Sequence, residues 1–212
     1  MLQSKLHSII PRLALLSAFC CFIEVGRIVI THNITFIFLP WNLILAWVPL
    51  WFAMQLKDES RPVHLFLYLA TWLVFFPNAP YIITDFLHLK PRINFPFWYD
   101  AILLYSFAFT GLLLGILSAH IVFKKLKTLF LPWKAKGLML FTMLISGYGI
   151  YVGRFLRFNT WDLLTNPFQI TTDTVSRILH PTVYPRAYCV TIVTGTLLSL
   201  IFFIFESILI TD

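Results

Sequence analysis

The chain has 212 residues, 59% of them hydrophobic and 12% charged, with a mean hydropathy of +0.82. A soluble domain carries about 25% charged residues, so the composition excludes an ordinary soluble protein and indicates an all-α, polytopic membrane protein. The net charge of +7 therefore bears on topology; nucleic acid is excluded because no soluble basic face is present to meet phosphates.

Three cysteines do not make a disulfide framework: Cys20 and Cys21 are adjacent in one apolar run and Cys189 opens another. Neither a lipoprotein signal nor a cleaved signal peptide is expected. Phe19 precedes Cys20, and the first apolar run continues to Glu24 and Arg27 without a small-x-small site.

A membrane span needs about 20 mostly apolar residues. Candidate runs lie at roughly 10–30, 35–56, 62–77, 98–123, 137–157 and 187–209. They predict a transmembrane helix bundle of about six spans in a single integral membrane domain, residues 1–212, with the third span short or broken at Pro77 and Pro80. In span one, Glu24 and Arg27 stand at i, i+3 and are expected to neutralise each other. In span two, Asn42 is expected to make an interhelical hydrogen bond and Pro49 to loosen the helix.

Each proline of the third span's break lacks an N–H and biases Phe76 or Ala79 toward extended backbone. Asn78 is then the expected cap of a new helix, with Pro80 in its first turn. On that helix Tyr81, Thr84, Asp85 and His88 share one face at i, i+3, i+4, i+7. Irregular backbone at membrane depth is tolerated only against protein or a wet cavity, so a recess is expected there.

Span four begins with Asp100 in its first turn, favourable to the helix dipole, and carries Ala108, Gly111, Gly115 and Ser118 on one face. Span five carries Gly149 and Gly153 at the same spacing, and both glycine pairs predict close helix packing. After it, Arg157 and Trp161 have the character of headgroup and aromatic-belt anchors. Arg154 lies deeper, and an ionisable residue at that depth calls for an acidic partner. Asp85 is the expected ion-pair partner, with His88 pairing to Asp85 and not to the arginine. In the stretch 158–186, Thr171-Thr172-Asp173 is the expected cap of a short amphipathic helix carrying Val175, Ile178, Leu179 and Arg177. That helix would lie on the outer surface or lid the recess.

Orientation follows from Lys and Arg. Lys5, Arg12, Lys57, Arg61, Lys124, Lys125, Lys127, Lys134 and Lys136 fall on one side. Arg27, Lys90, Arg92, Arg154, Arg157, Arg177 and Arg186 fall on the other, interleaved with Glu24, Asp85, Asp100, Asp162 and Asp173. The lysines of the short loop 124–136 decide the vote, placing that loop and both termini in the cytoplasm.

The polar residues then gather near the outer leaflet. Asp85 and His88 are candidates for general acid or base, being groups whose proton affinity responds to partial burial. Asn78, Tyr81, Arg154, Arg157, Asn159, Trp161 and Asp162 are candidate binding residues, and Glu24, Arg27 and Asp100 supporting pairs. The inner side offers lysines and little else. No metal is expected: Asp85 and His88 supply two ligands where three or four are needed, and His7, His32, His64, His120 and His180 are scattered. No cofactor is expected either.

Four stretches carry a resemblance. They are residues 41–49 (Trp-Asn-Leu-Ile-Leu-Ala-Trp-Val-Pro), 76–89 (Phe-Pro-Asn-Ala-Pro-Tyr-Ile-Ile-Thr-Asp-Phe-Leu-His-Leu), Trp98-Tyr99-Asp100, and 153–162 (Gly-Arg-Phe-Leu-Arg-Phe-Asn-Thr-Trp-Asp). In these the sequence resembles a bacterial membrane-protein family, domain of unknown function 1361. The resemblance implies an inner-membrane protein and supplies no activity, cofactor or partner.

Three functional classes stay open. One is an outer-leaflet site that binds or processes an anionic lipid or envelope precursor, with Arg154 and Arg157 holding phosphate or carboxylate. Against an enzyme, no nucleophile motif or Gly-rich phosphate loop is present. A small transporter fits broken spans and buried charge, but the polar residues crowd one side and no inverted repeat is apparent. A non-catalytic partner or assembly protein would use the same outer face to dock another membrane protein.

Overall fold

The computed structural model describes residues 2–92 and 95–210, excepting the side chains of 2–7, 58, 209 and 210. The Lys5 side chain used in the topology reading thus lies outside the described residues. In chain order the elements are α1 (Leu2–Thr31), α2 (Phe38–Asp58), α3 (Pro62–Phe75), α4 (Asn78–Tyr81), a 3₁₀ segment (Ile82–His88), α5 (Phe97–Leu129), α6 (Pro132–Tyr151), a π-helical turn (Val152–Leu156), α7 (Asp162–Thr165), α8 (Pro167–Leu179) and α9 (Pro185–Ile210). Six helical stretches are long and apolar enough to cross a membrane: Ser8–Thr31, Phe38–Lys57, Pro62–His88, Phe97–Leu129, Pro132–Leu156 and Pro185–Ile208. The protein is an all-α transmembrane bundle whose third span is bent.

Helix α5 is the hub. Inside the bundle, 61% of its most apolar window is buried, against 22% for the first and last spans. The predicted small-residue face explains what it receives. Ala108, Gly111, Gly115 and Ser118 are all buried, and a Cβ on Gly111 would lie 2.6 Å from the Ala79 carbonyl oxygen. Only a bare backbone lets the broken third span approach so closely. Gly149 does the same for Pro77, whose ring would sit 2.7 Å from an added Cβ. Between spans, Trp72 Nε1 donates to Ser118 Oγ at 3.3 Å and Trp47 Nε1 to Ser17 Oγ at 3.1 Å.

The break itself differs from expectation in three ways. Phe76 stays helical, at φ −55° and ψ −39°, with its N–H on Trp72 O at 2.7 Å. Packing wins over the bias from Pro77, because Phe76 is buried with its ring 4.7 Å from Trp72. Asn78 makes no cap; its amide is engaged by Thr160 instead. The helix that follows is 3₁₀, not α, so Ile82, Asp85 and His88 share an edge at its threefold repeat.

Two further expectations are revised. The lysines of 124–136 sit mostly on helix ends, because α5 runs to Leu129 and α6 starts at Pro132. The amphipathic helix starts at Pro167, a residue preorganised for a first turn, so Thr171-Thr172-Asp173 lies inside α8 and caps nothing. Val175, Ile178 and Leu179 are exposed on it. Arg177 anchors it, donating to Asp173 at 2.9 Å and to Tyr151 Oη at 3.2 Å.

Candidate functional site

The π-helical turn at the end of span five widens the backbone by one residue per turn and re-aims Arg154. Its guanidinium reaches the 3₁₀ segment with three different nitrogens. Nε donates to Thr84 Oγ1 at 2.8 Å, Nη1 meets His88 Nε2 at 2.9 Å, and Nη2 pairs with Asp85 Oδ1. The Tyr81 ring lies 4.5 Å from the guanidinium carbon. The other Asp85 oxygen accepts Asn42 Nδ2 at 3.1 Å, so the predicted interhelical bond of Asn42 lands on this carboxylate. Asp85 is buried, and the Arg154 side chain is 11% exposed.

Asp85 and Arg154 therefore meet, as span-depth reasoning expects. The expectation for His88 is corrected: it touches the arginine, and no hydrogen bond joins it to Asp85 among the described residues. Arginine has only donors, so His88 Nε2 accepts and the ring is neutral in this contact. Chemically the cluster is a closed ion pair with its donors shared between acid, hydroxyl and imidazole.

Beside it lies a cavity of about 410 Å³. Trp41, Tyr81, Tyr148 and Trp161 supply aromatic surface, and Asn42, Asn78 and Asn159 supply amides. Ile170 and Thr174 of α8 form part of the wall, with Tyr148 Oη donating to Thr174 at 3.1 Å. None of the described residues lining it is charged. Asp85, His88 and Arg154 are not in its wall; Asn42 and Tyr81 stand between the ion pair and the space. Its floor is the glycine face of span five, where a Cβ on Gly153 would meet the Tyr81 ring at 3.0 Å.

A second centre stands at the same end of the bundle. Arg27 is fully buried and gives Nε to Asp100 Oδ1 at 2.7 Å and Nη1 to the Asn33 carbonyl at 3.2 Å. Arg92 pairs with the other Asp100 oxygen. Phe36 is sandwiched, its ring 4.6 Å from both guanidinium carbons. The expected Glu24–Arg27 neutralisation is not formed as a hydrogen-bonded pair. Both Glu24 carboxyl oxygens and Arg27 Nη2 are buried without a hydrogen-bond partner among the described residues. Asp100 is more than a helix-dipole residue, since it holds two arginines.

The family model described as "Protein of unknown function (DUF1361)" matches residues 41–202. The chain belongs to this family. Neither the comparison with curated proteins nor that with solved structures gives a match. In this DUF1361 member the matched stretch contains the cavity and the whole Arg154 cluster. Glu24 and Arg27 precede it.

The remaining candidates separate. Asn78 bonds Thr160 Oγ1 at 3.0 Å and so ties the third span to the loop after span five. Asp162 accepts the Asn159 N–H at 2.6 Å and the Thr165 hydroxyl at 3.1 Å, which closes α7 and has no part in the cavity. Arg157 is exposed, in left-handed backbone at φ 62°; its N–H donates to the Val152 carbonyl, and its side chain makes no hydrogen bond or ion pair among the described residues. Sequence reasoning missed Trp41, Tyr148 and Thr174, which only the tertiary fold brings to one space. It also missed a polar pair at the lysine-rich end: buried His120 contacts Glu206 across α5 and α9, with Lys127 Nζ 3.8 Å from that carboxylate.

Proposed function

We propose that this is a lipid-binding protein of the bacterial inner membrane. Its cavity takes an anionic lipid or a lipid-linked envelope precursor from the outer leaflet. The observation that carries the reading is the 410 Å³ cavity with an uncharged aromatic and amide wall. A space of that order holds a compact group of roughly drug-like size. The uncharged wall suits a neutral headgroup portion or the first methylenes of a chain. The charge is met by Arg157, exposed next to the lining residues Phe158 and Asn159 and suited to bidentate phosphate capture. Arg154, neutralised by Asp85, holds the site together and leaves the ligand to its neighbours. Membrane lipid is the partner that this reading requires.

The orientation follows the lysines: their end lies in the cytoplasm with both termini, and the cavity opens outward. Single cysteines replacing exposed Trp133 and Val183 in an otherwise cysteine-free protein test it. Only the second should react with an impermeant reagent added from outside. For the function, native mass spectrometry of protein extracted with its lipid should show a bound species. Trp161→Ala and Arg157→Gln should each lose it while the folded bundle remains. Retention of the same species by both variants would sink the reading.

A further inference from the structure

Glu24 is a buried acid whose surroundings offer its anion no hydrogen bond. It is 1% exposed within span one, and both carboxyl oxygens lack a partner among the described residues. The neighbours are already committed. Tyr99 Oη donates to the Ile23 carbonyl at 2.8 Å, Arg27 gives two nitrogens to Asp100 and Asn33, and Arg92 is held by Asp100. An unpaired carboxylate in such a place is expensive, so the acid is stable there with its proton on. One group is left uncommitted one helical turn away: Arg27 Nη2, equally buried and equally without a partner.

We propose that Glu24 is a proton-binding site, which releases its proton by moving onto Arg27 Nη2 and recovers it by moving back. The balance is simple. The carboxyl O–H bond breaks, the proton goes to water at the Arg92 side, and no other covalent bond changes. Arg92, whose side chain is 25% exposed against 0% for Arg27 and 2% for Asp100, is the wet edge of the cluster. Two arginines and one aspartate carry a net charge of +1 while Glu24 is neutral, and zero once it ionises. Ionisation therefore removes a buried net charge and satisfies two unpartnered groups, at the cost of desolvating a carboxylate. These opposed terms keep the two states close.

Among the described residues, Cys21 and Arg27 of α1 and Asp100 of α5 act on Glu24, and Tyr99 bonds the neighbouring Ile23 carbonyl. Arg92, the Phe36 and Phe95 rings and the Asn33 carbonyl stand around Arg27 and Asp100. None of them but Arg27 has a buried nitrogen to spare among the described residues.

The test is infrared difference spectroscopy on the whole protein, reconstituted in phosphatidylcholine vesicles and labelled with ¹³C-glutamate, titrated between about pH 5 and pH 9. The glutamates are Glu24, Glu59 and Glu206. The expected result is an isotope-shifted carbonyl band of a protonated carboxyl that disappears with rising pH, is lost in Glu24→Gln and survives Glu206→Gln. If Glu24→Gln does not fold, persistence of the titrating band in Glu206→Gln assigns it, because the Arg61 hydrogen bonds hold the Glu59 carboxyl down to about 2 and keep it ionised throughout. Absence of any such band, or a band that does not titrate, would overturn the proposal. So would its loss in Glu206→Gln alone.

Discussion

Arg154 and Arg27 are both arginines that hold a buried aspartate from another span at the same end of one bundle, yet they are built to different ends. Arg154 distributes three nitrogens over Thr84, His88 and Asp85, and Asn42 occupies the second Asp85 oxygen. Arg27 shares Asp100 with a second arginine, sits on the Phe36 ring, and leaves one nitrogen and the nearby Glu24 unpartnered. The first is a closed network that clamps the bent third span to span five. The second has a group that can change state. Counting ion pairs would treat the two alike; counting the polar atoms each leaves over distinguishes them.

The harshest way to break the comparison is Arg27→Ala. It removes the partner of a nearly fully buried aspartate and leaves Arg92 to hold it alone. The expected loss is about 3–5 kcal/mol of bundle stability, measured as the thermal unfolding midpoint in detergent and as membrane abundance. A loss well under this range would mean that Arg92 by itself carries the centre.

Asp85→Asn and Arg154→Lys come next. Asn keeps shape without charge, and Lys keeps charge without the fork that serves three acceptors. Each should cost about 2–3 kcal/mol, below the range for a fully buried pair because Thr84 and His88 still hold what remains. Combined, they should cost less than the sum. Bound lipid should persist in whatever fraction stays folded. Additive losses would show that the two side chains act separately and that the closed network is a misreading.

How much of this was legible beforehand depends on distance along the chain. Tyr81, Thr84, Asp85 and His88 can be grouped because an α-helical repeat puts them on one face. The 3₁₀ repeat splits them into two edges, Tyr81 with Thr84 and Asp85 with His88, and it is the Arg154 guanidinium, reaching both edges, that brings the four together. Depth in the membrane told that Arg154 needs an acid. The Arg27–Asp100 pair was out of reach. The nearer acid at i, i+3 is the natural partner on a single helix, and only the packing of α1 on α5 selects the other. The sequence marks Asn42 as an interhelical donor but does not name Asp85 as its acceptor. The aromatic wall of the cavity was illegible as a set, because Trp41, Tyr148 and Trp161 each look like an ordinary membrane aromatic until the chain is folded.

A gentler substitution separates clamp from charge. Gly149→Ala leaves every ionic group in place but puts a methyl 2.7 Å from the Pro77 ring. Span five must then shift away from the third span, carrying Arg154 with it. The expected cost is about 1–3 kcal/mol, typical of overpacking, together with loss of the bound lipid, since Gly149 also lines the cavity. The Arg27 centre should not respond, and an unchanged infrared signal of Glu24 in this variant would confirm the separation. A coupled change in that signal would join the two centres into one.

The smallest effect is expected from an ion pair that repeats the same chemistry outside the spans. Glu59, between α2 and α3, accepts Arg61 Nε at 3.1 Å and Nη2 at 3.0 Å, and also the Ser60 and Arg61 backbone N–H groups. The Arg61 hydrogen bonds hold its carboxyl down to about 2 from an ordinary 4.5. A depressed carboxylate stabilises the folded state fully above its unfolded value, and the contribution fades as pH falls from 4.5 toward 2. Water and salt screen the pair, because the Arg61 side chain is 69% exposed. Glu59→Gln should therefore lower the unfolding midpoint only slightly at neutral pH and low salt. The gap from the unsubstituted protein should narrow with added salt and close as the pH drops through that window. A loss at neutral pH as large as that of Asp85→Asn would break the comparison at its root, because burial of the arginine would no longer be what sets the two centres apart from a pair whose arginine stands in solvent.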